Sequence, residues 1–205
     1  MDLVYLGSGQ FGLECLYALR QSEHKLSLIV TQPPRQAGRG RKPKATAAAQ
    51  WASEQGVDFV ETDDVNRPKI IEKITGCNPE LIIVIAFGQK IGRQLIELAP
   101  KGIITVHASL LPKYRGAAPI NWPIINGERQ TGISIVTVTE KMDAGDILGR
   151  VKTDIASDET AGQLAGRLAQ LSPPLLLEAI EKIAAGTAVY QKQDHCQATN
   201  APKLK

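Results

Sequence analysis

Short apolar runs alternate with stretches of helical period from the first residues of the chain. Leu3-Val4-Tyr5-Leu6 is followed by residues 11–19, where Phe11, Leu13, Leu16, Ala18 and Leu19 share one broad face, and then by Leu26-Ser27-Leu28-Ile29-Val30. This order predicts βαβ units with the helix packed on a sheet. Leu81-Ile82-Ile83-Val84-Ile85-Ala86 is apolar throughout, as expected of a central parallel strand, and Ile103-Ile104-Thr105-Val106 repeats the pattern with one hydroxyl. Residues 133–138 alternate more weakly, which predicts a less buried strand. Ala45-Thr46-Ala47-Ala48-Ala49 predicts the opening of a helix. Between residues 160 and 185, two apolar helical stretches meet at Pro173-Pro174; proline can open a helix but not continue one, so two helices are expected. Residues 190–205 are polar without periodicity and read as a tail or linker. The predicted class is α/β, a mostly parallel twisted sheet with helices on both faces.

Composition narrows this picture. At 205 residues and 43% hydrophobic content the chain is long enough for a cored globular domain. No run of 18 apolar residues and no basic leader pattern occurs, so a cytoplasmic protein without a membrane partner is expected. Cys15, Cys77 and Cys196 lack any Cys-x-x-Cys spacing, which argues against a disulfide framework and a zinc site. A net charge of +3 does not announce a nucleic-acid binder. Its distribution does more: Arg35, Arg39, Arg41, Lys42 and Lys44 fall within ten residues without an acid, on a Gly- and Pro-rich segment that predicts an exposed, mobile loop. Five uncompensated cations favour a phosphate contact over a solvated charge run, and the lack of aromatics favours backbone over base.

Two motifs bear on chemistry. Gly7-Ser8-Gly9-Gln10-Phe11-Gly12 matches the dinucleotide fingerprint between a strand and a helix. The acid that would hold a ribose is missing, because Val30 leads into Thr31-Gln32-Pro33-Pro34, so the glycines are read as steric requirements of a tight turn and no NAD is expected. Thr105 and His107 lie two apart at the end of an apolar strand, so both side chains point the same way at the carboxyl edge, where open α/β sheets bind ligands. A later turn, Met142-Asp143-Ala144-Gly145-Asp146, holds two carboxylates, either of which could fix the imidazole.

His107-Ala108-Ser109-Leu110-Leu111-Pro112, Arg115-Gly116-Ala117-Ala118-Pro119-Ile120 and Asp143-Ala144-Gly145-Asp146 together resemble the folate-dependent formyltransferases, over essentially the whole chain. Gln32-Pro33-Pro34 with Gly38-Arg39-Gly40-Arg41-Lys42, and Ala86-Phe87-Gly88, belong to the same likeness, which is strongest to the members that act on charged tRNA. The resemblance implies a Rossmann-like formyltransferase fold and transfer of a formyl group from 10-formyltetrahydrofolate to the α-amino group of initiator methionyl-tRNA, without a metal. It implies His107 and Asp146 as catalytic residues, with Asp143 the second choice for the carboxylate. It implies a folate pocket of Phe87, Gly88, Gln89, Ser109, Leu110, Leu111, Pro112, Asp143, Ala144 and Gly145. Arg39, Arg41 and Lys42 would meet the acceptor stem, and Gly9, Gln10 and Phe11 the aminoacyl end. RNA rather than DNA is the expected partner, and a monomer the expected state.

The sequence departs from the family at one position. The family's third catalytic residue is an asparagine two positions before the histidine, and here Thr105 stands there, with a shorter, β-branched hydroxyl in place of the amide. Reduced activity is therefore expected. Residues 1–189 are expected to form the catalytic domain and 190–205 the start of a linker to a C-terminal β-barrel domain, without which tRNA would be held weakly. The alternatives are formylation of a small or sugar amine, and a catalytically impaired folate- or RNA-binding module.

Overall fold

The first apolar run becomes β1 (Asp2–Gly7), and a single 3-10 turn carries the chain into α1 (Leu13–Gln21) and β2 (Lys25–Thr31). The computed structural model describes residues 1–37 and 42–204. These fall into two compact units, Met1–Ile103 and Ile104–Lys205. The first continues through β3 (Arg35–Ala37), β4 (Lys42–Lys44), α2 (Ala47–Gln55), β5 (Phe59–Glu61), α3 (Pro68–Gly76), β6 (Leu81–Ile85) and α4 (Arg93–Ile96). Its sheet is wholly parallel, in the order β5-β2-β1-β6. Leu3, Val4, Tyr5 and Leu6 are fully buried, which requires cover on both faces of β1. The helix predicted near residue 45 begins after Thr46, whose hydroxyl caps it by accepting from the Ala49 amide at 3.1 Å.

The strand order has a functional consequence. The chain steps outward from β1 to β2 and β5, then returns to lay β6 on the other side of β1. The chain's progress across this sheet therefore reverses at β1 and β6, and open α/β sheets bind ligands at the carboxyl ends of strands beside such a reversal.

Arg35–Ala37 and Lys42–Lys44 are not the irregular loop that the prolines and glycines of this segment predicted. Arg35–Ala37 and Lys42–Lys44 pair as an antiparallel two-stranded ribbon, with Gln36 opposite Pro43. Both strands of a ribbon are edges, so a proline without an amide hydrogen is tolerated there.

The second unit takes in β7 (Ile103–His107) from its second residue, then α5 (Asn121–Ile125), β8 (Gln130–Thr137), β9 (Ile147–Asp154) and α6 (Ala161–Ala184). β8 pairs antiparallel with β7 on one side and β9 on the other. It is more buried than its weak alternation suggested, because it is central here: Thr131, Ile133, Ser134, Ile135 and Val136 are all buried. α6 packs on β8 and β9 and runs unbroken through Pro173 and Pro174, where two helices were expected. The prolines cost about 3 kcal/mol or more each in a helix interior. Against this, Leu164, Leu168, Leu176, Ile180 and Ile183 form one buried stripe across the break, at roughly 1.5–3 kcal/mol per side chain. Burial of the continuous stripe outweighs the local preference.

The C-terminal stretch is likewise more than a tail. Gln191 bridges to Ile147 and Asn200 to Arg115, Ala201 is fully buried, and the Trp122 indole donates to the Pro202 carbonyl at 2.8 Å. Backbone bridges and single polar side chains hold it, so no hydrophobic periodicity betrays it. Among the described residues no helix is long and apolar enough to cross a membrane, and no group of three His, Cys, Asp or Glu side chains could hold a metal ion.

Candidate active site

β7 delivers Thr105 and His107 to its carboxyl end, opposite Val136 and Ser134 of β8. The His107 ring is buried, and its Nε2 lies 2.9 Å from the Tyr114 carbonyl. A carbonyl can only accept, so Nε2 carries the proton and Nδ1 is left with the lone pair in the neutral ring. Nδ1 faces Asp143 Oδ2 at 3.6 Å. That separation leaves Nδ1 uncommitted while neutral and next to an anion once it takes a proton.

The loop after β7 is held by its own hydroxyls. Ser134 Oγ donates to the Ser109 carbonyl at 2.7 Å and accepts from the Leu111 amide at 3.0 Å, while Ser109 Oγ donates to the Lys113 carbonyl at 2.7 Å. The Leu111-Pro112 peptide is cis. Arg150 caps the Leu111 carbonyl from β9 at 3.0 Å. Tyr114 adopts φ 63°, a left-handed conformation that non-glycine residues avoid, and its amide is anchored on Thr199 Oγ1 at 2.8 Å. Burial pushes the Tyr114 phenol above its ordinary range, and its hydroxyl donates to Glu128 at 2.7 Å.

The carboxylate beside His107 is that of Asp143, whereas Asp146 was expected to orient the ring. Asp143 sits at φ 51° with Oδ2 accepting from the Gly116 amide at 2.8 Å. Asp146 instead closes the neck of the loop with its backbone: its amide donates to Thr137 Oγ1, and its carbonyl accepts from the Thr137 amide, both at 2.9 Å. Gly145 makes that neck possible, since a Cβ there would lie 1.9 Å from the Thr137 carbonyl oxygen. Gly116, at φ 124°, is equally constrained, with Ala201 O 2.8 Å from where its Cβ would be. Non-glycine residues in left-handed backbone cost on the order of 1–3 kcal/mol and persist where their surroundings over-determine them, most often at functional sites.

Sequence reasoning missed what holds these loops. Gln193 and Arg115 are both buried. The Gln193 amide donates to the carbonyls of Asp143 and Gly145 and accepts from the Arg115 guanidinium, which also donates to His195 Nδ1 at 3.0 Å. Arg115 stood within a recognised motif, but nothing in the polar surroundings of Gln193 marked it.

In the first unit the glycine turn and the 86–88 turn meet at the carboxyl ends of β1 and β6. A Cβ on Gly9 would lie 3.1 Å from the Ala86 Cβ. Cβ atoms on Gly7 and Gly12 would collide with the Tyr5 ring and hydroxyl at 2.4 and 2.0 Å, so a buried tyrosine is a steric reason for both glycines. Gln10 is exposed and Phe11 half-buried. The Thr31 hydroxyl bonds Ser8 and Thr46, and the Gln32 amide donates to Ser8 Oγ, where a dinucleotide site would place an acid. Of the residues expected to line a folate pocket, Gly88 is exposed, whereas Phe87 is buried and Gln89 spends its side-chain amide on Val65 N and Thr62 O. Ser109 and Leu111 are also buried, leaving Leu110, Pro112, Asp143 and Ala144 at partial exposure and Gly145 under Thr137. Arg39 and Arg41 lie outside the described residues, as does the side chain of Lys42, whose backbone opens β4. Cys15 is buried in α1, with its thiol pushed up to about 12, which makes it unreactive.

A family model described as Formyl transferase matches residues 1–180. The chain belongs to the formyl transferase family. Within it, the methionyl-tRNA formyltransferase of Solibacter usitatus is 42% identical over 205 residues, all of this chain and 66% of that protein. The chain thus spans slightly less than two thirds of the length of the curated relatives it matches. Glycinamide ribonucleotide transformylase 1 from Symbiobacterium toebii has the same fold, with a TM-score of 0.79 over 95% of this chain and 94% of its own, at 18% identity. The N-formyltransferase from Helicobacter canadensis, in complex with folinic acid and dTDP-3-aminofucose, gives 0.74 over 98% of this chain and 70% of its own, also at 18% identity.

Proposed function

We propose that this chain transfers a formyl group from 10-formyltetrahydrofolate to the α-amino group of initiator methionyl-tRNA in the cytoplasm. The observation that carries the reading is the buried His107 Nδ1 facing Asp143 Oδ2 at 3.6 Å, on loops whose sequence matches the formyl transferase family. The 42% identity to a methionyl-tRNA formyltransferase supports the acceptor, and the folinic acid bound by the Helicobacter canadensis relative supports a folate donor.

The chemistry suits the residues present. When bound, the donor supplies an activated formyl carbon to the amine; as the new C–N bond forms and the tetrahedral adduct collapses, the bond to the folate N10 breaks, and N10 leaves with the proton that the amine gave up. The nucleophile sheds a proton as it attacks, and Nδ1 of His107 is the basic atom that can take it, since Nε2–H is committed to the Tyr114 carbonyl. Asp143 then stands beside an imidazolium and stabilises its charge. The Thr105 hydroxyl, on the same side of β7 as His107, replaces the family's amide as a donor to the developing oxyanion. Arg39, Arg41 and Lys42, by the family resemblance, meet the acceptor-stem phosphates.

The test is formylation of charged initiator tRNA with 10-formyltetrahydrofolate, run on the native chain and on His107→Ala. Turnover that falls by about 10²–10⁴ in the variant is expected of a lost acid–base group. Equal rates, or no turnover with any tRNA, would overturn the reading.

A further inference from the structure

The side-chain amide of Gln193 has every hydrogen-bonding position in use. Nε2 donates to the carbonyl of Asp143 at 2.8 Å and to that of Gly145 at 2.7 Å, while Oε1 accepts from Arg115 Nε at 3.2 Å and Nη2 at 2.5 Å. An amide offers two hydrogens and two lone pairs, so the group cannot turn without losing partners. Gln193 is also buried, where a hydrogen bond left unmade is not replaced by water.

The partners give this anchor its meaning. Asp143 holds a left-handed φ of 51°, and its backbone carbonyl is one of those that Gln193 grips. The carboxylate of the same residue spans from the Gly116 amide to His107 Nδ1. Arg115, on the other end of the glutamine, neighbours Gly116 and Tyr114, and the Tyr114 carbonyl fixes His107 Nε2. One side chain from the C-terminal stretch thereby joins the loop that carries the carboxylate to the loop that fixes the histidine.

We infer that Gln193 is a positioning residue for formyl transfer, acting through Asp143 by holding its strained backbone so that the carboxylate faces His107. The inference rests on the assignment of His107 and Asp143 as the reacting pair. Gln193 itself touches no substrate in this scheme. Its loss lowers kcat and leaves KM for both substrates nearly unchanged, because misplacing a reacting group by an ångström costs up to about a hundredfold in rate.

Gln193→Glu isolates the effect in the full chain. It keeps an acceptor for Arg115 and sets a carboxylate oxygen against the Asp143 and Gly145 carbonyls in place of both donors, so the turn is released. Expected are a single cooperative melt with its midpoint lowered by roughly 5–15 °C, a kcat lower by about ten- to hundredfold, and KM values within about twofold. A double-mutant cycle with Asp143→Asn separates positioning from general support: if Gln193 acts through Asp143, adding Gln193→Glu to Asp143→Asn lowers kcat by no more than about twofold further. Gln193→Met, of similar length, is measured in the same way should the glutamate variant not fold. A folded Gln193 variant with wild-type kcat, or losses that multiply fully in the cycle, overturns the inference. His107→Ala and Asp143→Asn assayed alone distinguish the two levels: if either retains wild-type rate, the assignment of the pair fails and the inference falls with it. If both lose activity and Gln193→Glu does not, only the positioning role is refuted.

Discussion

Asp143 and Asp146 sit three residues apart in one turn, and only the backbone separates their roles. At Asp143 the chain adopts φ 51° and its carboxylate reaches Gly116 and His107, while Asp146 is drawn back against Thr137 by two main-chain bonds. Both acids were visible in the sequence, but their ranking was not, because it depends on a left-handed residue and a glycine neck that no periodicity encodes. Asp143→Asn is expected to lower kcat by about 10²–10⁴ and Asp146→Asn by less than about tenfold, measured as single-turnover formyl transfer. The opposite order would return the catalytic role to Asp146. Thr105 poses a different question on the same strand. Removing one oxyanion donor costs about 10²–10³ in rate, so Thr105→Asn should raise kcat by up to about a hundredfold if the hydroxyl is the poorer donor. Equal rates in the two proteins would show that the hydroxyl serves as well as the amide.

At the scale of elements, the sequence was most legible where burial is regular. β1, α1, β2, β6 and β7 fall where their apolar runs predicted, and so does the histidine at the end of β7. It was least legible where tertiary contacts override local chemistry: Pro173 and Pro174 inside α6, Pro43 within a ribbon, and a polar C-terminus docked by its backbone. α6 also illustrates how an element is fastened at its start. Thr160 and Gln163 form a reciprocal cap, and Arg167 reaches back to Glu159 through two bonds of 2.7 and 2.8 Å and on to Thr153 and the Asp154 carbonyl at the end of β9. The Arg167 guanidinium holds the Glu159 carboxyl below its ordinary range. A carboxylate whose folded value is depressed stabilises the fold above its unfolded value, and that contribution is lost as pH falls through the folded one. Glu159→Gln should therefore destabilise the protein by up to about 1 kcal/mol at neutral pH, with the difference from wild type shrinking as the solution is acidified. Urea melts at neutral and acid pH would check this, and a difference independent of pH would refute it.

For the molecule as a whole, charge distribution matters more than charge. The net of +3 averages over a chain in which Arg35, Arg39, Arg41, Lys42 and Lys44 crowd one ten-residue segment, while the His107–Asp143 pair lies in a different unit. Binding of a polyanion and chemistry at the amine are thus assigned to different residues and should be separable by mutation. Counterion release makes phosphate contacts salt-dependent, with a slope of log affinity against log salt of about −0.7 to −0.9 per contact. Replacing Arg39, Arg41 and Lys42 together by alanine should raise KM for charged tRNA, flatten that slope by roughly two units, and leave kcat at saturating tRNA within about threefold. Filter binding across a salt series, paired with steady-state formylation, measures both quantities. An unchanged slope would remove the segment from the tRNA contact and favour a small amine as acceptor. A collapse of kcat at saturation would instead place these cations in the chemistry, where electrostatic attraction of the acceptor stem does not.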